Sequence, residues 1–318
     1  MLNRALSQVN TVAIGGHIRP DGDCVGSCMG LYQYIKKCYP NIQVTVYLEE
    51  IPNCFGMFEI IKQISHEVKE EKTYDLFIAL DCASKNRLGF SEVLFDNAKA
   101  TLCIDHHISN DGFAKENYIV AEASSTAELV YRLMKKEEIN TEIAECLYLG
   151  IVHDTGVFQY SSTAPETMEA AAYLMRKNIR ANQIIDETYY EKTYAQNRVL
   201  GYALLESKLI LNEKCIVSHV TKETMDEFQV KQSDLEGIVR QLRVTQGVEV
   251  AIFMYQIGEA EYKISLRSSG HVDVSKVAQA FDGGGHTKAA GLTMKGTVQD
   301  ITERLTEEIG KQLCYTAF

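Results

Sequence analysis

The sequence predicts an α/β protein: an N-terminal parallel-sheet domain with helices on both faces, joined by a helical connector to a smaller α+β domain. Three observations predict it. Short β-rich apolar runs alternate with helical patterns over roughly the first 120 residues, the signature of βαβ units and therefore of a parallel sheet. The pattern then turns helical from Ser125, and strands return beyond Lys208. A chain of 318 residues is also longer than one hydrophobic core usually organises, so two domains are expected.

The elements follow in order. Residues 11–14, 44–47, 76–80 and 101–104 are apolar, β-rich and bounded by polar loops, and residues 25–38 between the first two carry apolar side chains at helical spacing. In such sheets ligands bind beyond the carboxyl ends of the strands. Residues 127–134, 142–152, 166–176 and 193–205 show i, i+3, i+4 apolar spacing, and Pro165 suits the first turn of the third of these helices. Further on, residues 209–211, 215–220, 248–255 and 262–266 read as strands, and 235–242, 274–281 and 299–313 as helices. The expected division is residues 1–190, a connector over 191–207, and 208–318.

Composition narrows the function classes. Hydrophobic residues at 46% and charged residues at 24% are ordinary for a globular protein. No apolar run approaches the roughly 18 residues needed to span a bilayer, and the first ten residues lack the pattern of a secretory leader. Nine cysteines scattered without a disulfide-like framework read as reduced thiols, so a cytoplasmic protein is expected. A net charge of −11 argues against coating long nucleic acid by charge neutralisation. A small anionic substrate stays open, because bound metals reverse the local sign of a site.

Four short segments carry candidate chemistry. His17-Ile-Arg-Pro-Asp21-Gly22-Asp23 follows the first strand and precedes a helix. Asp81 directly follows residues 76–80, Asp105-His106-His107 directly follows 101–104, and His153-Asp154 closes a predicted helix. In a parallel sheet the first three meet along one rim. Oxygen and imidazole donors without thiolate suit Mn²⁺ or Mg²⁺ better than structural zinc. Two ions roughly 3.5–4 Å apart clamp the attacking and leaving oxygens of a phosphoryl group, and share at least one bridging carboxylate. Asp21, Asp23, Asp81 and Asp154 would nearly balance two divalent cations. Taken singly, each residue has a plainer explanation. An aspartate at a strand end is usually a cap or turn former, and a lone histidine is more often a satisfied polar residue. The convergence of six or more such groups at element ends favours a site. His153 is its weakest member. Cys24 and Cys28 lie one helical turn apart, where a redox or metal pair is an alternative, but beside oxygen and imidazole donors they read as buried small residues, as do Cys82 and Cys103.

A glycine-rich segment, Asp282-Gly283-Gly284-Gly285-His286, lies near the C-terminus. Consecutive glycines let backbone N–H groups approach an anion, and a helix starting after His286 would add its dipole. The strand ending at Leu266 delivers Arg267-Ser268-Ser269, a guanidinium and hydroxyls suited to phosphate. A plain glycine turn beside a surface arginine is the alternative.

Together these motifs, in this order over residues 10–294, make the chain resemble the DHH phosphoesterases with a DHHA1 domain, most closely the bacterial nano-RNase/pAp phosphatase group. His17 to Ser27, Asp81, Asp105-His106-His107 and Asp154-Thr-Gly156 match the catalytic motifs, and Gly283-Gly-Gly-His286 with Arg267-Ser268 matches the DHHA1 signature. Gly-Gly-Gly-His alone is weak, since alanyl-tRNA synthetases carry related domains. The resemblance implies a DHH catalytic domain over 1–190 and a substrate-binding DHHA1 domain over 208–318. It implies two divalent ions, Mn²⁺ ahead of Mg²⁺ or Co²⁺, one held by His17, Asp21 and Asp81, the other by Asp23, Asp81, His106 and Asp154. His107 is then a phosphate contact or proton donor, Asp105 orients the histidines, and Arg267, Ser268, Gly283, Gly284, Gly285 and His286 grip the nucleotide. The implied substrates are short RNA or DNA oligonucleotides or small nucleotides such as pAp, with no membrane partner, and a homodimer is compatible. Hydrolysis of cyclic dinucleotides or their linear products, and a RecJ-like single-strand exonuclease, are the rival activities.

Overall fold

Five consecutive apolar residues, Leu76–Leu80, form a strand buried at every position, as a central strand of a sheet covered on both faces must be. The computed structural model, which describes residues 1–69 and 72–313, divides into two units, Met1–Glu191 and Lys192–Phe318. The first unit runs α1 (Leu2–Leu6), β1 (Thr11–Gly15), α2 (Gly22–Cys38), β2 (Gln43–Tyr47), β3 (Ile64–Ser65), β4 (Leu76–Leu80), α3 (Glu92–Asp96), β5 (Ala100–Asp105) and β6 (Glu116–Ile119). It continues with α4 (Thr126–Leu133), α5 (Thr141–Asp154), α6 (Pro165–Met175) and α7 (Ala181–Ile185).

Its sheet has the order β3-β2-β1-β4-β5-β6, with every pair parallel. The chain builds one way from β1 and then returns to build the other way from β4. That reversal opens a crevice at the carboxyl ends of β1 and β4, where α/β sheets bind ligands. Ile14, Ile78 and Ile104 face a core shared with Met29 of α2, Leu129 of α4 and Ile151 of α5. Ala13, Phe77 and Cys103 face the other side, under Leu94 and Phe95 of α3. Helices α2 and α5 meet backbone to backbone, and a Cβ on Gly26 would stand 2.4 Å from the Cys146 carbonyl oxygen.

The second unit runs α8 (Tyr194–Leu205), β7 (Lys208–Ile210), β8 (Cys215–Val220), α9 (Lys222–Phe228), α10 (Ile238–Arg243), β9 (Val250–Gly258) and β10 (Glu261–Ser268). It ends with α11 (Val274–Gln279), β11 (Gly284–His286), β12 (Ala289–Lys295) and α12 (Val298–Leu313). Its sheet order is β11-β12-β10-β9-β8-β7, antiparallel except for β8 with β9. Helices α11 and α12 cover one face, burying Ile264, Leu266 and Leu292 against Val277, Ile301 and Leu305. Helices α8 and α10 cover the opposite face over β8 and β9.

Four features depart from the sequence reading. Helix α8, read as a connector, packs into the second unit, with Val199 and Ala203 buried among Ile216, Ile238 and Leu242. Helix α2 starts at Gly22, three residues ahead of its apolar pattern, because the Asp21 carboxylate caps it through the N–H groups of Asp23 and Cys24. The glycine-rich segment is an edge strand, and no helix follows His286: β11 turns directly into β12. The edge strands β3 and β6 were not anticipated, because the first is two residues long and the second half-polar.

Candidate metal centre

The carboxyl ends of β1, β4 and β5 deliver His17, Asp81 and Asp105 to one rim, and the cap of α2 adds Asp21 and Asp23. Asp81 is central. Its Oδ2 lies 3.4 Å from His17 Nε2, and its Oδ1 lies 3.7 Å from His106 Nε2. Asp21 Oδ1 is 3.6 Å from His17 Nε2. His106 Nε2 stands 3.1 Å from Asp154 Oδ2 and 4.0 Å from Asp23 Oδ2. All six expected metal ligands therefore converge, with Asp81 facing both a His17 side and a His106 side.

The imidazoles are oriented from behind. His17 Nδ1 is 2.8 Å from the Ile18 carbonyl and His106 Nδ1 is 3.3 Å from that of Ala123. Each Nδ1–H donates to a carbonyl, which turns Nε2 toward the carboxylates as a lone-pair donor. His107 is held differently: its Nδ1 donates to Asp105 Oδ1 at 2.8 Å, and Asn110 donates to the other Asp105 oxygen at 2.7 Å. That leaves His107 Nε2 as the nitrogen for an outside partner. His153 stands apart, with Nε2 2.9 Å from Thr188 Oγ1 and its ring between Phe55 and Tyr189. Its ring explains Gly22, where a Cβ would come within 2.2 Å of it.

The electrostatics mark a site crowded with buried carboxylates. Burial, together with Asp81, Asp154 and Asp21, holds Asp23 well above the usual carboxylate range. Asp154 is pushed up to about 7 by removal from water and by Asp81 and Asp21, against the pull of His106 and His107. Burial opposes the charge on His17, yet Cys24, Asp21 and Asp81 raise it to about 12. Since burial also keeps Cys24 a neutral thiol, the two carboxylates carry that effect. Burial likewise opposes charge on His107, and Asp105 and Asp81 outweigh it. Asp23 and Asp154 are thus driven toward their neutral acids, and His17 and His107 toward their charged forms. A divalent ion fits this donor set: the ligand atoms of Asp23, His106 and Asp154 all lie within 4.8 Å of one another, as do those of His17, Cys24 and Asp81 and those of Asp81, His106 and His107.

In the second unit the strand register makes one row of Arg267 on β10, Ala289 on β12 and His286 on β11. Leu266 and Ala290 belong to the core under α11 and α12, so the alternating Arg267 and Ala289 take the opposite face. A small residue thus lies between a guanidinium and an imidazole. Gly283 and Gly285 seat the edge strand: a Cβ on Gly285 would stand 2.4 Å from the Ala289 carbonyl oxygen, and one on Gly283 2.6 Å from that of Gly291, while Gly284 is open. Ser268 does not join the row. One residue beyond Arg267 it turns to the other face, buried, and its Oγ has no hydrogen-bond partner.

Residues 11–151 match the family model of the DHH family, N-terminal domain, and residues 212–311 that of the DHHA1 domain. The chain belongs to the DHH–DHHA1 family. It is 25% identical over 299 residues, 92% of each chain, to the bifunctional oligoribonuclease and PAP phosphatase NrnA of Bacillus subtilis. It is 29% identical, over 96% of each chain, to the protein of the same description from Mycoplasma genitalium. The solved structure of an exopolyphosphatase-related protein from Bacteroides fragilis matches with a TM-score of 0.90 at 26% identity, covering 98% of this chain and 94% of that one.

The DHH domain also contains positioning residues that sequence reasoning missed. Asp23 is clamped by the start of α4, its two oxygens accepting from the N–H groups of Thr126 at 2.6 Å and Ala127 at 2.8 Å. Thr126 Oγ1 donates to Asp81 Oδ1 at 3.2 Å. The spacing Ser125-Thr-Ala-Glu128 marks a helix start, but nothing local shows that this start faces Asp23. Gly150 of α5 closes the clamp, since a Cβ there would meet Asp23 Oδ1 at 2.7 Å and Ala127 Cβ at 2.5 Å. Gly150→Ala is expected to cost about 1–3 kcal/mol of stability by overpacking and to weaken Mn²⁺ binding, as read by urea unfolding and metal titration. Unchanged metal affinity would show that Asp23 tolerates displacement.

Proposed function

We propose that this chain is a metal-dependent phosphoesterase that cleaves oligonucleotides a few residues long to mononucleotides and removes the 3′-phosphate of pAp. The observation that carries the reading is the six-ligand cluster at the switch point of the sheet, with Asp81 turned to both halves. The names of the two curated relatives, matched over nearly their whole length, support the substrate class. Nine cysteines, with no disulfide among the described ones, support action in the reducing cytoplasm.

His17, Asp21 and Asp81 would hold one ion, and Asp23, Asp81, His106 and Asp154 the second, with Mn²⁺ preferred over Mg²⁺ or Co²⁺ by the mixed oxygen and imidazole donors. When bound, such ions acidify water and offset charge that builds on the phosphoryl group. Asp105 locks the tautomer of His107 so that its Nε2 faces outward, placed to give a proton to the leaving oxygen. Arg267 and His286 hold a substrate phosphate across the Ala289 gap, the guanidinium supplying paired N–H donors. The first unit thus acts as the catalytic domain and the second as the substrate-binding domain.

The test is Mn²⁺-dependent release of mononucleotide from a labelled RNA dinucleotide, beside phosphate release from pAp and digestion of a long single strand. Turnover of the two small substrates is expected. Activity confined to the long strand would replace this reading with a processive exonuclease. Arg267→Ala is expected to raise KM for the dinucleotide about 10- to 100-fold, the worth of a charged hydrogen bond, with a smaller change in kcat. An unchanged KM would remove Arg267 from the substrate grip.

A further inference from the structure

We infer that Cys24 gives one half of the centre a sulfur donor, so that His17, Cys24 and Asp81 bind a thiophilic divalent ion, Zn²⁺ or Cd²⁺, in competition with the ion that supports hydrolysis. The inference rests on the metal-centre reading for His17 and Asp81 and adds a donor of another chemical class. The ligand atoms of His17, Cys24 and Asp81 lie within 4.8 Å of one another, and all three residues are buried. The groups built on His106 contain no sulfur, so the two halves of the centre differ in softness.

The spacing suits one ion. Zinc bonds of about 2.0–2.3 Å to N, O and S set tetrahedral donors about 3.4–3.6 Å apart. His17 Nε2 and Asp81 Oδ2 already stand 3.4 Å apart.

The backbone makes room for the sulfur. A Cβ on Gly16, the residue between β1 and His17, would lie 2.2 Å from Cys24 Sγ. Any side chain there would push the sulfur from its place beneath the His17 turn. Coordination replaces the S–H proton, which passes to solvent, and no electron is transferred. Thiolate favours Zn²⁺ and its heavier congener, while Mn²⁺ and Mg²⁺ favour the oxygens.

Cobalt titration of the metal-free full-length protein tests this. Visible ligand-field bands report that the centre binds metal at all, and a near-ultraviolet sulfur-to-cobalt charge-transfer band reports thiolate ligation. Both are expected in the wild type, with the charge-transfer band alone lost in Cys24→Ser. Ligand-field bands without charge transfer in the wild type would overturn the sulfur donor and leave the metal centre standing. Absence of both would overturn the two together. The wild-type spectrum decides even where the variant folds poorly. Where it folds, Cd²⁺ should bind about tenfold more weakly or worse, with Mn²⁺ affinity within about twofold; equal loss for both ions would overturn the inference.

Discussion

Asp81→Asn is expected to lower phosphoester hydrolysis by about a thousandfold or more while the protein stays folded. Asparagine is the informative replacement because of the backbone. Asp81 sits at φ +56°, a left-handed conformation that asparagine accepts more readily than other side chains. Alanine would add strain of about 1–3 kcal/mol and blur the reading. Asparagine also keeps an oxygen to accept from Thr126 Oγ1, so the clamp beside it survives. What it loses is the charge shared between the His17 and His106 sides. Asp81 attracts His17 but repels Asp23 and Asp154, so the opposing effects should leave the unfolding temperature in chelator within a few degrees of wild type. The stabilisation by Mn²⁺ should largely disappear. Steady-state kinetics on the dinucleotide and thermal melts with and without Mn²⁺ check both parts. Near-normal turnover in a folded Asn variant would refute the bridging role.

In chelator, stability is expected to fall as pH rises from about 5 to about 8.5, and saturating Mn²⁺ is expected to remove that fall. The direction follows from the protons the folded protein retains. Asp154 moves from an ordinary 3.8 to about 7 on folding. Its proton favours the folded state fully below 3.8, and that contribution is lost as pH climbs through about 7. Asp23 shifts the same way. His17 rises from 6.5 to about 12, so its contribution is full below 6.5 and drains away above it. The slope is about 1.4 kcal/mol per pH unit for each proton of difference. Asp21, held down to about 2 by His17 and by the N–H groups of Cys24 and Asp23 against the effect of burial, acts only at the acid end. Its contribution is present above 3.8 and lost below. Divalent ions displace the retained protons, so apparent metal affinity should climb over the same interval. Melts across that range in EDTA and in Mn²⁺ measure the effect. Stability in EDTA that rises from about pH 5 to pH 7 would contradict the proton-holding cluster.

The candidate ligands were legible in the chain because each stands at an element boundary, where period-2 and period-3.6 patterns stop. His17, Asp81 and Asp105 follow strands that read clearly as buried apolar runs, and a parallel sheet brings such ends to one rim. The second unit was less legible. Gly283 to His286 carries no periodicity, and its strand character comes from pairing with β12. Glycine here serves close approach of two backbones, which resembles an anion loop in sequence. Ser268 was grouped with Arg267 by adjacency, yet adjacency in a strand sends side chains to opposite faces.

Residue order alone settled the parallel sheet and the donor types, because strand periodicity, helix caps and a handed βαβ crossover are local properties of the chain; the strand order that puts the switch point between β1 and β4 came from the tertiary structure. The clamp on Asp23 by α4, the turn of His106 toward Asp154 and the approach of Cys24 Sγ to His17 and Asp81 came only from packing. Each joins residues far apart in the chain or on different sides of a turn. Their geometry depends on close contacts such as those at Gly150 and Gly16, and no local pattern of residues encodes which distant surface will fill that space.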